Sequence, residues 1–250
     1  MQTNLADFIR DTPEGREADR ILRTCVHCGF CLATCPTYQL LGDELDSPRG
    51  RIYLMKRMLE GDPATAKTLT HLDRCLTCRA CETTCPSGVE YGRLLDIGRT
   101  LAEERIGRSP LQRLTRWLMR TILADARRVS FLLGLGRLVR PLLPKRLARQ
   151  VKSPRPSGNW PPPRHARRML VLAGCVQPAT APNINAAAAR VLDRLGISLM
   201  VAPEAGCCGA LALHTGGREQ ALAAMRRNID AWLPHLEAGV EAIVMTASGC

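Results

Sequence analysis

Two copies of one cysteine pattern, fifty residues apart, restrict this chain more than any other feature. The first is Cys25, Cys28, Cys31, Cys35 and Pro36, in CVHCGFCLATCP; the second is Cys75, Cys78, Cys81, Cys85 and Pro86, in CLTCRACETTCP. Each reads C-x2-C-x2-C-x3-C-P, the bacterial run that holds iron–sulfur cubanes, with the fourth cysteine of each run serving the other cluster. The spacing therefore assigns Cys25, Cys28, Cys31 and Cys85 to one [4Fe–4S] cluster, and Cys75, Cys78, Cys81 and Cys35 to a second. Three cysteines two residues apart let a short loop wrap three corners of a cubane, and a distant segment brings the fourth thiolate. Proline after that cysteine fixes φ and removes an N–H, turning the chain away. Structural zinc sites usually present two ligand pairs across a longer loop. Disulfides need an oxidising compartment, to which nothing in the chain points.

The chain has 250 residues, room for one large or two ordinary domains. No stretch approaches the roughly 20 apolar residues of a spanning helix. The first twenty residues are polar, without the apolar core of a signal peptide. A cytoplasmic location, where thiols stay reduced, is the expectation. The net charge of +12 is uneven: 17 Lys/Arg stand against one acid, Asp125, in 105–168, so the remainder is slightly acidic. Such a segment is the main organisational signal after the cysteines.

The expected fold class is α+β and multidomain. Residues 1–104 read as an all-helical ferredoxin-type domain, because the runs are joined by helical patterns. Ser47 is an N-cap candidate with Pro48 at the first helical position, Ile52, Met55, Leu59 and Tyr53 form a stripe, and Gly61 stops it. Val89 to Glu104 reads as another helix. Residues 105–168 read as a basic linker: an amphipathic helix with Leu111, Leu114, Trp117, Leu118 and Ile122 on one face, then a proline-rich tether expected to be extended and weakly structured. Its helix fits packing against this protein or a partner, or peripheral contact with an anionic membrane surface. Nucleic-acid binding is disfavoured, since no recognised motif accompanies the charge. Residues 169–250 alternate strand, helix, strand, helix, strand, the pattern of a parallel α/β layer. Ligands bind at the carboxyl ends of strands in such sheets, where Cys175 and Cys250 fall.

Four cysteines remain: Cys175, Cys207, Cys208 and Cys250. The adjacent pair follows a strand, in AGCCGALALHTGG, with His214 as a further candidate ligand. A shared metal or redox site competes with the plain reading of small buried thiols. No dinucleotide fingerprint, P-loop or nucleophile constellation is present.

The stretch ILRTCVHCGFCLATCPTYQLLGDELDSPRGRIYLMKRMLEG, followed by HLDRCLTCRACETTCPSGVEYGRLLDIGR, resembles the iron–sulfur subunit of glycolate oxidase (glycolate dehydrogenase). From Met169 onward, LAGCVQP, AGCCGALALHTG and TASGC resemble the cysteine-rich CCG domain of that subunit. Related domains occur in lactate-utilisation proteins, anaerobic glycerol-3-phosphate dehydrogenase and heterodisulfide reductase, which supply the alternative readings. The resemblance implies an electron-transfer subunit rather than the seat of substrate chemistry. It implies an FAD-binding catalytic partner that oxidises glycolate to glyoxylate, and a membrane quinone-type acceptor, placing the chain on the inner face of the membrane. It implies that Cys175, Cys207, Cys208 and Cys250 hold a third cluster or a zinc ion. Family members carry two CCG repeats, so a chain with one incomplete repeat is expected to be C-terminally truncated. A four-thiolate cubane is net negative, so Arg23, Arg49, Arg51, Arg74 and Arg79 near the runs would favour its reduced form.

Overall fold

The computed structural model describes residues 1–149, 151, 155–247 and 249–250. The chain divides into two compact units, Met1–Ser109 and Pro110–Cys250. It is mostly helical, with a helical ferredoxin-type unit first and a small parallel α/β layer second, as expected. The helical part of the basic segment lies within the second unit.

The first unit runs through α1 (Asp7–Arg10), α2 (Pro13–Thr24), α3 (Pro36–Leu41), α4 (Pro48–Leu59), α5 (Ala66–Asp73), α6 (Ala80–Thr84) and α7 (Tyr91–Ile106). Helices α2, α3 and α4 each start with proline at the first position, where a missing N–H costs nothing. The Ser47 hydroxyl caps α4 by accepting from the Gly50 amide at 2.9 Å. Ile21 and Leu22 of α2, Met55, Met58 and Leu59 of α4, Leu72 of α5, and Leu94 and Leu95 of α7 are buried in one core. Helix α4 crosses α7 closely, since a side chain at Gly98 would meet the Met55 sulfur at 2.4 Å. That core fixes the helices from whose ends the two cysteine loops hang.

The second unit holds α8 (Pro110–Leu123), α9 (Ala126–Val139), α10 (Lys145–Ala148), β1 (Arg167–Val171), α11 (Gln177–Thr180), α12 (Asn183–Arg194), β2 (Ile197–Val201), α13 (Ala210–His214), α14 (Arg218–Glu237) and β3 (Ile243–Val244). The strands are parallel in the order β2-β1-β3, with Val171 in register with Val201 and Val244. Alternate residues of a strand face opposite sides. Val171 accordingly packs with Ala189 of α12 and Leu199, whereas Leu170 packs with Ala202, Trp232 of α14 and Val240. Asp125 caps α9, accepting from the Arg127 and Arg128 amides. The apolar stripe of α8 stays largely uncovered: Leu111, Leu114, Trp117 and Leu118 are all exposed.

Over its described residues 155–166 the proline-rich tether has no regular structure but is held in place, and Arg167 and Arg168 at its end open β1. Trp160 Nε1 donates to the Leu199 carbonyl at 3.2 Å, and the amides of Arg164 and His165 donate to Ser198 Oγ at 3.0 and 2.9 Å. Strand β2 lies at the edge of the sheet, where backbone groups lack a strand partner, and the tether supplies one. The first two tether residues, 153 and 154, lie outside the described residues.

Candidate metal centres

The two cysteine runs follow one backbone path twice. His27 and Thr77, at equivalent positions, take φ of 60° and 53°; Gly29 and Arg79, two residues on, take 85° and 57°. Glycine adopts this left-handed region freely. A non-glycine residue there costs of order 1–3 kcal/mol and marks sites where the surroundings impose it. A short helical turn follows in each case, Phe30–Leu32 and α6, so three thiols curl around one point. Cys35 and Cys85 then come immediately before their prolines.

The first run lines an open hollow of about 430 Å³ with Cys25, Cys28 and Cys31 from its own loop and Cys81 and Cys85 from the other run. The second hollow, about 290 Å³, is lined by Cys75, Cys78, Cys81 and, from the first run, Cys35. The first hollow thus gathers the four cysteines that the spacing nominates for one cluster together with Cys81, and the second gathers the other four. Pro48, Cys81 and Tyr91 line both hollows, so the two lie side by side.

The donor set and its surroundings fit thiolate-ligated cubanes. His27 Nδ1 is buried beside the first hollow without a hydrogen-bond partner. Burial pushes the Cys31 thiol up to about 11 and the Cys81 thiol up to about 12, with the neighbouring cysteines adding to the effect. Such thiols ionise readily only when a cation takes the place of the proton. Amide and hydroxyl donors already face the sulfurs: Val89 N–H to Cys85 at 3.5 Å and the buried Tyr91 hydroxyl to Cys75 at 3.5 Å. Burial and the Cys75 thiol together hold the Tyr91 hydroxyl far above its ordinary range, so it stays protonated and able to donate.

Beneath the second hollow lies a polar network whose membership sequence reasoning missed. Asp46 and Arg51 are fully buried. The Asp46 carboxylate accepts from Arg51 Nη2 at 3.3 Å and Arg74 Nη1 at 2.7 Å, and pairs with His71 Nδ1 at 3.0 Å. Burial alone would push the Asp46 carboxyl up, but the hydrogen bonds with His71 and Arg74 outweigh it and hold it below the usual range. Arg51 Nε donates to the His71 carbonyl at 2.7 Å, and Nη1 reaches Thr37 Oγ1 at 3.1 Å and Cys35 Sγ at 4.0 Å. In sequence, Asp46 and His71 look like ordinary surface polar residues, and only the folded chain brings them to Arg51.

In the second unit, Cys175 follows β1, Cys207 and Cys208 follow β2, and Cys250 follows β3, so all four lie beyond the carboxyl ends of parallel strands. The neighbouring Cys207 thiol draws the Cys175 thiol down, while burial and the Cys208 thiol push Cys250 up to about 11. Asn228 of α14, buried, holds the middle loop: its Oδ1 accepts from Gly206 N–H at 2.8 Å and its Nδ2 donates to the Cys207 carbonyl at 3.0 Å. Gln177 ties the outer two loops, donating to Asn185 Oδ1 and Thr246 Oγ1 at 3.0 and 2.7 Å. His214 ends α13, half-buried. Neither amide anchor carries a sequence signal that separates it from other helix polar residues.

Comparison with known proteins agrees with this geometry. Residues 21–89 match the model of a 4Fe-4S dicluster domain, and residues 169–250 match a cysteine-rich domain. Over its whole length the chain is 56% identical to the glycolate oxidase iron-sulfur subunit of Escherichia coli, covering 62% of that protein. It is 32% identical over 92% of its length to the probable glycolate oxidase iron-sulfur subunit of Bacillus subtilis, covering 57%. A more distant likeness, 26% over 78% of the chain, is to one subunit of the dihydromethanophenazine:CoB–CoM heterodisulfide reductase of Methanosarcina mazei, of which 47% is covered. The chain thus spans about three-fifths of the length of its two glycolate oxidase relatives. No solved structure matches it. The chain carries a 4Fe–4S dicluster domain followed by a cysteine-rich domain, and it is similar throughout to the iron–sulfur subunits of glycolate oxidase.

Proposed function

We propose that this chain is the electron-carrying iron–sulfur part of a glycolate-oxidising complex. An FAD-binding partner takes two electrons from glycolate, and this chain conveys them to a quinone-type acceptor at the inner face of the membrane. The observation that supports the reading is the pair of adjoining hollows, one gathering Cys25, Cys28, Cys31 and Cys85 and the other Cys75, Cys78, Cys81 and Cys35, with Cys81 reaching both. Each hollow, loaded with a [4Fe–4S] cubane, would accept and release one electron at a time, suiting a donor that is reduced by two. Cys25, Cys28, Cys31 and Cys85 hold the first, and Cys75, Cys78, Cys81 and Cys35 the second. The shared wall of Pro48, Cys81 and Tyr91 keeps the path between them short, and the buried core behind them keeps water to the outer side. Substrate choice belongs to the flavoprotein, so the preference for glycolate over lactate or glycerol 3-phosphate rests on the named relatives.

Cys175, Cys207, Cys208 and Cys250 form a third metal site in this reading, supported by their convergence at three strand ends. The exposed apolar stripe of α8 beside its arginines suits peripheral contact with an anionic membrane. Described residues include no helix long and apolar enough to cross one. Anaerobic purification with iron, sulfide and zinc counts tests the proposal. About eight irons per chain, with broad visible absorbance bleached by dithionite, is the expected result. About four further irons, or one zinc, identifies the occupant of the third site. Zinc alone would leave a structural metal protein and refute electron transfer.

A further inference from the structure

Five arginines near the runs are equal candidates in sequence for tuning the clusters, and the structure separates them. Arg23 pairs with Asp19, Arg49 with Glu44, Arg79 with Glu82 and Arg74 with Asp46, and these four side chains are between 30% and 63% exposed. Arg51 alone is fully buried, and the one carboxylate it touches, Asp46, is shared with Arg74. The network beneath the second hollow therefore carries two guanidinium charges against one buried carboxylate, with the exposed Asp43 carboxylate within 4.8 Å of it on the solvent side. Arg51 is also the guanidinium whose Nη1 comes within reach of a ligand sulfur, Cys35.

We infer that the site formed by Cys35, Cys75, Cys78 and Cys81 is the more oxidising of the two, made so by the buried guanidinium of Arg51, and is where electrons come to rest within the first unit. The inference rests on the reading of the eight cysteines as cubane ligands. Reduction adds one negative charge to a cluster that is already anionic, so a buried guanidinium close to a ligand sulfur, whose carboxylate partner is shared with a second guanidinium, favours the reduced form. The effect is largest for a cation removed from water, and it is screened for exposed ones.

Other contributions separate the sites less. Each has one exposed cysteine, Cys28 and Cys78, and the second has two buried ones, Cys35 and Cys81, against Cys25 in the first. Neutral donors reach sulfurs at both: the Val89 amide serves Cys85, and the Thr37 and Tyr91 hydroxyls lie by Cys35 and Cys75. The cations facing the first hollow are Arg49, neutralised by Glu44, and the amino group of Met1, which donates to the Cys25 carbonyl from a partly exposed position. Electrons entering at the first site would thus move on to the second, which sets a direction across the shared wall.

The test is an anaerobic redox titration of the purified chain, followed by electron paramagnetic resonance with iron counting. Two separated one-electron waves are expected. Arg51→Met should lower the higher wave by at least tenfold in the reduced-to-oxidised ratio at fixed applied potential, equivalent to about 59 mV. Arg51→Lys should restore most of the shift, which a purely structural role would not do. The exposed Arg74→Met, which disturbs folding little, should lower the same wave by less. Arg49→Met should leave it in place. Coincident waves in the wild type, a shift of the lower wave by Arg51→Met or Arg74→Met, or no shift by either overturns the inference while the two-cluster reading stands. Fewer than about eight irons per chain overturns both.

Discussion

Removing the Asp46 carboxylate should be far more damaging than removing either of its arginines, and the reason lies in burial. Asp46 and Arg51 have no exposed side-chain surface. In Asp46→Leu, Arg51 Nη2 loses its anionic partner, and the charge remains inside the protein with the His71 carbonyl and Thr37 hydroxyl. Breaking a buried pair in this way costs about 3–5 kcal/mol, because the surviving charge is left uncompensated. Arg51→Met leaves Asp46 with Arg74 at 2.7 Å and His71 at 3.0 Å, so about 1.5–3 kcal/mol is expected, the range of one hydrogen bond to a charged group. The double variant Asp46→Leu/Arg51→Met removes both buried charges and should be more stable than Asp46→Leu alone. Anaerobic urea unfolding followed by far-ultraviolet circular dichroism measures all three against the wild type. If Asp46→Leu lies within about 1 kcal/mol of the wild type, or the double variant is no better than that single one, the account of the network is wrong.

Two further outcomes follow from the same unit. Gly50→Ala, which in an ordinary helix stabilises by up to about 1 kcal/mol, should here destabilise by roughly 1–3 kcal/mol, because its Cβ would stand 2.0 Å from the Glu44 carbonyl oxygen; thermal unfolding reads the sign directly. The Arg93 hydrogen bond holds the Glu17 carboxyl below its usual range, through a two-point contact at 2.8 and 2.9 Å that is half exposed. It should contribute about 0.5 kcal/mol, present above the unfolded carboxylate pKa of about 4.3 and lost as pH falls through the lowered folded value. The stability gap between wild type and Arg93→Met, followed by urea unfolding from neutral to acid pH, should close accordingly.

Much of the first unit was legible because its signals are local. Ser47 and Pro48 announce the start of α4, and the helix begins there. The helix expected from Val89 begins at Tyr91 instead, since Val89 turns its amide to Cys85. The α/β pattern of the second unit was legible from strand and helix periodicity, yet the third strand is only Ile243–Val244. The tether, expected to be extended and weakly structured, lacks regular structure over 155–166, but Arg167 and Arg168 at its end belong to β1. Its attachment by Trp160 to Leu199 was not legible, because that depends on which strand forms the sheet edge.

Cysteine spacing and the prolines after the fourth cysteines were enough, by themselves, to nominate two sets of four thiols. A loop of fixed short spacing can present three of them in only a few ways, and the fourth must come from elsewhere. What the sequence left undetermined was the environment. Five arginines near the runs look alike in one dimension, and only the packing of α4 against α5 and the loop before it buries Arg51 with a shared carboxylate while leaving its neighbours paired in water. Ligand identity is a matter of local spacing. Charge burial depends on what the whole core excludes from solvent, and that is settled by contacts between residues far apart in the chain.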